Sequence, residues 1–143
     1  MGRSSLMTLI QEFYLAEWDW WVKVFYVVEY MPIDLIISEL KKIGCEDTTE
    51  VESLFTEDAE NKGYTYSNLT RRKSIIVIGQ TTCPAQFAHS YDHEKLHLAI
   101  HIAKEDNIDP FSEELAYLMG DIGFNMFQVA KKFLCEHCRE EIE

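Results

Sequence analysis

Lys73-Ser74-Ile75-Ile76-Val77-Ile78-Gly79-Gln80 and, ten residues on, Ser90-Tyr91-Asp92-His93-Glu94-Lys95-Leu96-His97 are the stretches that decide the fold. The first is nearly all apolar between turn-forming neighbours, which predicts a buried strand over 73–80. Pro84 stands where a helix can begin, because a first-turn residue needs no N–H partner, and the spacing that follows predicts a helix over 84–104. Glu105-Asp106-Asn107 supplies a polar stop. Asp109-Pro110, an acceptor at the cap and proline at the first position, then opens a last helix that runs to about Leu134.

Upstream, residues 63–68 predict a second strand, joined to the first across Arg71-Arg72-Lys73. That basic cluster reads as a polar turn rather than a recognition patch. Residues 12–29 are dense in aromatics and valines and predict a hairpin, with Trp18-Asp19-Trp20 at its turn and Trp18, Trp20 and Trp21 committed to packing. Pro32 starts a helix over 32–43 that Gly44 ends. Between Glu46 and Lys62 a run of carboxylates that includes Glu57 and Asp58 surrounds Val51, Leu54 and Phe55. It reads as a short helix on an acidic surface, since it lacks the alternating oxygen ligands and central glycine of a calcium loop. The fold class is therefore α+β, a short mixed or antiparallel sheet packed on helices.

The 143 residues, 47% hydrophobic and 27% charged, fit a single domain over 1–143. Thirteen basic against twenty-five acidic residues give a net charge of −12. That balance argues against nucleic acid or an anionic membrane as partner. Aromatic content of 13% belongs to a packed core rather than an acidic coil. No apolar run approaches the roughly 20 residues of a membrane span, and no secretory pattern opens the chain, so a soluble cytoplasmic protein is expected. Met1-Gly2-Arg3-Ser4-Ser5-Leu6 misses a myristoylation signal at Leu6, and Met7 is a second candidate start. Four scattered cysteines predict reduced thiols, and the Asn68-Leu69-Thr70 sequon is read as chance.

His93-Glu94-Lys95-Leu96-His97 is an H-E-x-x-H sequence inside a predicted helix. Residues four apart sit one turn along and about 40° round the axis, so both imidazoles can grasp one ion while the glutamate projects beside them as a base. With Leu96, Ala99, Ile100 and Ala103 taken as the core face, His93, His97 and Glu94 fall on its flank. Catalytic zinc takes a third protein ligand and keeps a fourth position for water. On the last helix Ala116, Tyr117, Gly120, Phe124 and Phe127 share a face with Glu113. Taken as the buried face, it makes Glu113 the candidate ligand and Glu114 its solvated neighbour.

In these motifs the chain resembles the gluzincin branch of the zinc metallopeptidases. It is similar in particular to the small zincin-like proteins of bacteriophages and integrated elements of gut Bacteroidetes, in which an apolar strand precedes the histidine helix and an E-x-x-A-Y-L-x-G segment follows. Here those parts are Ile75 to Gly79, His93 to His97 and Glu113 to Gly120, within a zincin-like unit over 63–134. The resemblance implies Zn(II) on His93, His97 and Glu113, Glu94 as general base, and hydrolysis of a peptide or protein substrate in the cytoplasm of the host cell. Tyr117, one turn beyond Glu113, is the first candidate for stabilising the oxyanion, with a packing role as its rival. The strand 75–78 is expected to offer an edge to an extended substrate. The alternative function is a non-catalytic phage or mobile-element protein that keeps the ion as a staple or binds a host protein.

His89, His93, His97 and His101 form a ladder whose ends diverge by about 120°, so the four cannot share one ion. His101 is a secondary candidate for the third ligand, and His89 is expected on the core side. Cys135-Glu136-His137-Cys138 has the spacing of half a zinc site with no second pair to complete it.

Overall fold

The computed structural model describes residues 8–56 and 60–142. The readings at Met1 to Met7 and at Glu57 and Asp58, and that of the Cys138 side chain, lie outside what it describes. Among the described residues four strands and five helices follow one another as β1 (Thr8–Leu15), β2 (Trp20–Val27), α1 (Ile33–Lys42), α2 (Thr49–Phe55), β3 (Gly63–Asn68), β4 (Lys73–Ile78), α3 (Pro84–Asp106), α4 (Glu113–Ala130) and, after a 3-10 turn at Lys131–Phe133, α5 (Glu136–Ile142). The α+β class is as expected. No helix among the described residues is long and apolar enough to cross a membrane.

The sheet has the order β1-β2-β4-β3 and is mixed. Hairpins β1–β2 and β3–β4 are antiparallel, and they join through the parallel pair β2–β4, with Trp21 opposite Lys73 and Tyr26 opposite Ile78. Strand β4 is therefore central. This corrects the expectation that residues 75–78 offer a free edge: the edges are β1 and β3. The apolar character of β4 reflects burial on both sides.

Period-two alternation splits the strands between two cores. Trp20, Val22, Val24 and Tyr26 of β2 and Ile76 and Ile78 of β4 pack with Leu98 and Ile102 of α3 and Leu118, Ile122 and Met126 of α4. Their neighbours Phe25, Val27, Ile75 and Val77 pack with Ile36 and Leu40 of α1 and Val51 and Phe55 of α2. All three tryptophans are in the hairpin region as expected, but only Trp18 and Trp20 are buried; Trp21 is exposed.

Helix ends follow local chemistry. Gly44, at φ +99°, closes α1 with the N–H of Cys45 donating to Leu40 O and its own N–H to Lys41 O, a pairing that relieves the last carbonyls. Asn107 takes the left-handed conformation at the end of α3. The cap of α4 is Ser112, whose Oγ accepts from Leu115 N, and not Asp109. Asp109 instead accepts from Phe111 N and shapes the preceding turn.

The helix faces assigned from periodicity are corrected, that of α3 in part. On α3 Ala99 and Ala103 are buried as expected, together with Phe87, Tyr91, Leu98 and Ile102, while Leu96 and Ile100 are exposed and so is His89. On α4 the sheet is met by Leu118, Ile122, Met126 and Ala130, which puts Ala116, Tyr117, Gly120, Phe124 and Phe127 in solvent. Each helix carries two apolar stripes, and the pattern alone does not say which one the sheet covers.

Candidate functional site

The alternation of β3 sets up the site. Gly63, Thr65 and Ser67 stand opposite Ile78, Ile76 and Ser74, so this small, polar set shares the α3 side of the sheet with Ile76 and Ile78. Where a strand would ordinarily send branched side chains against a helix, there is room for polar groups of α3. Glu94 uses it. The residue is buried, its Oε1 accepting from Thr65 Oγ1 at 2.7 Å. Its Oε2 lies so close to Gly63 that a Cβ there would stand 2.6 Å away. A buried carboxylate needs such a donor, because leaving it unsatisfied is costly.

His101, two turns along, meets Ser67 in the same way. Its Nδ1 lies 2.7 Å from Ser67 Oγ, Ser67 Oγ lies 2.6 Å from Ser74 Oγ, and Trp20 Nε1 donates to Ser74 Oγ at 2.8 Å. The indole can only donate, so the chain of hydroxyls can run from Trp20 through both serines to the imidazole. Burial first, then the neighbouring His97 and Lys104, holds the His101 imidazole below its ordinary pKa.

His93 and His97 lie outside these two, on the exposed flank of α3, with their Nε2 atoms 3.1 Å apart. Two nitrogens about 2.0–2.1 Å from one tetrahedral ion stand about 3.3 Å apart, so this spacing suits a shared zinc. A groove of about 390 Å³ runs along β3, lined on one side by His93, Glu94, His97 and His101 and on the other by Glu50 and Leu54. Tyr64 and Tyr66 also line it from the opposite face of β3, where they pack on the α1/α2 core, and burial pushes the Tyr64 hydroxyl up to about 12.

Three of the expected residues are thus brought together: His93, Glu94 and His97. Glu113 and Tyr117 are not among the groove's lining residues, and both are exposed. The reason is the placement of α4. It packs on the β1 side of α3, where Gln11 Nε2 donates to Asn125 O, Trp18 Nε1 to Asp121 Oδ2 and Tyr91 Oη to Gly123 O. Tyr91, and Lys95 beside Gly123, face α4 about 160–200° round the helix from His93. Among the described residues no group of three or more His, Cys, Asp or Glu side chains is gathered so as to hold a metal. The imidazole pair is thus one donor short of the three protein ligands that a catalytic zinc takes.

Gly63, Thr65 and Ser67 escaped the sequence reading. Their signal was present in the alternation Gly-x-Thr-x-Ser on a strand preceding a helix with buried-polar candidates, which marks a strand face too small and polar to be core. No protein-family model, curated protein or solved structure matches the chain.

Proposed function

We propose that the chain is a zinc-dependent peptidase of zincin type that acts on extended peptides, with His93 and His97 as metal donors and Glu94 as the proton-handling group. The observation that carries this reading is the convergence of the two Nε2 atoms beside a buried, oriented carboxylate at the mouth of a groove. A zinc ion supplies Lewis acidity and a water that ionises near neutral pH. Thr65 fixes the Glu94 carboxylate through Oε1, so its other oxygen can take a proton from the attacking water and return it to the leaving amine. Strand β3 is the edge of the sheet on this side, and its unpaired backbone suits an extended peptide that adds as a further strand. With Glu113 exposed away from the groove, a different donor completes the metal in this reading.

Metal analysis of purified protein loaded with zinc is expected to give about one ion per chain, lost in His93→Ala and in His97→Ala. Glu94→Gln is expected to retain the ion and abolish hydrolysis of an unstructured protein such as casein. Metal content unchanged in both histidine variants overturns the site, and full cleavage by Glu94→Gln removes Glu94 from the chemistry. Loss of the ion in Glu113→Ala restores Glu113 as third donor. A second reading, a non-catalytic protein that binds a partner strand at β3, is favoured by the donor count among the described residues. Peptide binding without cleavage by the zinc-loaded protein selects it.

A further inference from the structure

Five large apolar side chains stand in solvent on the faces of α3 and α4 turned away from the core, and a sixth stands in the turn between the two helices. Helix α4 contributes Tyr117 (66% exposed), Phe124 (75%) and Phe127, spaced by seven and three and set opposite the stripe that faces the sheet. Helix α3 adds Leu96 and Ile100, one turn apart, about 160–200° from the core positions Leu98 and Ile102. Phe111, in the turn between the helices, is 95% exposed. Single exposed apolar residues are ordinary on any surface, but a patch of this size is not. Judged from the usual area of such side chains, the six expose roughly 700 Å². That exceeds the ~300–600 Å² of a typical monomer's largest patch and approaches the ~800 Å² each partner brings to a stable interface.

We propose that this face is the two-fold interface of a homodimer, its occupant a second copy of the chain. An isologous contact needs a patch that complements itself. This one has bulk and recess side by side: aromatic rings at Tyr117, Phe124 and Phe127, and between them Gly120, where a Cβ would meet nothing within 4 Å. A ring of one copy laid over Gly120 of the other repeats by symmetry. Charge selects the same occupant. At −12, two copies repel over most of their surfaces, and the uncharged side chains Tyr117, Phe124 and Phe127 with Gly120, set between Glu113 and Lys131 on the exposed face of α4, are where they can approach. A basic partner would be drawn to the acidic remainder of the molecule instead. None of the six lines the groove at β3, so the interface stands independently of the peptidase reading.

The sign of the salt effect follows. Screening weakens repulsion between like-charged copies, so dimerisation tightens as salt rises, whereas attraction of a basic partner weakens. Sedimentation velocity of the full chain over a concentration series, at low and high salt, is expected to show mass rising from 16.7 kDa towards twice that value, at lower concentration in high salt. Phe124→Asp and Tyr117→Asp should each weaken association at least about tenfold. Their circular dichroism, and their unfolding midpoints at dilutions where the unaltered chain is monomeric, should not change, because both side chains are exposed in the single chain. Trp21→Ser, an exposed aromatic on β2, should associate as the unaltered chain does. A chain that stays monomeric at the highest concentration in both salts overturns the proposal, as does association undiminished in Phe124→Asp and Tyr117→Asp.

Discussion

Replacing Gly63 by alanine tests the seating of Glu94 directly. The added Cβ would lie 2.6 Å from Oε2, 2.8 Å from Cγ and 2.9 Å from Cδ of Glu94, all closer than a real methyl comes. Gly63 does not have a positive φ, so alanine meets no backbone penalty there, and the loss of unfolded-state freedom favours the variant by about 0.4–1 kcal/mol. Against this stands overpacking of about 1–3 kcal/mol. Glu94 can relieve the clash only by leaving the Thr65 hydroxyl, a bond to a charged group worth about 1.5–3 kcal/mol. Gly63→Ala is thus expected to destabilise by about 1–2 kcal/mol. In a Glu94→Ala background the methyl enters space the carboxylate has left, and the same change becomes neutral or stabilising by up to about 1 kcal/mol. Urea unfolding of the four proteins of the cycle should give a coupling of about 2 kcal/mol. If Gly63→Ala costs the same in both backgrounds to within about 0.5 kcal/mol, Glu94 is not seated against β3 and the site falls with it.

Arg72→Lys should cost about 1–2 kcal/mol in urea unfolding, because the guanidinium grips both oxygens of Asp106 at 2.9 Å and lies 4.8 Å over the Trp20 ring, a fork and a stacking that an ammonium cannot reproduce; an unchanged midpoint would contradict it. Glu39 accepts from Lys23 at 2.6 Å and Lys42 at 3.0 Å, which hold its carboxyl below the ordinary range. Its folded pKa lies under its unfolded one, so this stability is present above pH 4.5 and lost as pH falls through the depressed value. The urea midpoint of Glu39→Gln should accordingly trail the unaltered chain by about 1 kcal/mol at pH 7 and converge with it as pH falls through the depressed value, whereas a constant gap would assign the loss to packing. Ile102→Ala, fully buried between α3 and the sheet, should lose about 2–5 kcal/mol, read as a drop in thermal midpoint; a loss under about 1 kcal/mol would mean the core is misplaced.

Local signals carried the element order well. The strand at 63–68 has the expected bounds, and Pro84, Gly44 and Asn107 punctuate the chain where turn chemistry says they should. Orientation was harder to read. Leu96 and Ile100 on α3, and Tyr117, Phe124 and Phe127 on α4, satisfy helical periodicity as well as the true core stripes do. Which stripe turns inward is fixed by contacts distant in sequence, such as Gln11 with Asn125 and Trp18 with Asp121. The same non-local packing sends α4 to the β1 side and leaves Glu113 away from His93 and His97. Pairing of those two histidines was legible because it is a property of one helix turn, whereas a third donor on another element depends on how the two elements pack.

Arg72 occupies the point where the two hairpins meet. Each closes over four residues, 16–19 and 69–72, and each turn ends on a residue of positive φ, Asp19 in one and Arg72 in the other. Arg72 donates to Trp18 O and Asp19 O, and Trp21 N donates to Arg72 O, so one residue stitches both turns together. The hairpins can form early because their contacts are local, while the parallel β2–β4 pair must close 45 intervening residues. Docking of two preformed ribbons is then the expected slow step, with Arg72 as the latch at one end. A residue that seemed mere turn polarity becomes the timing element of assembly: its loss should show chiefly as slower folding, with the unfolding rate little changed.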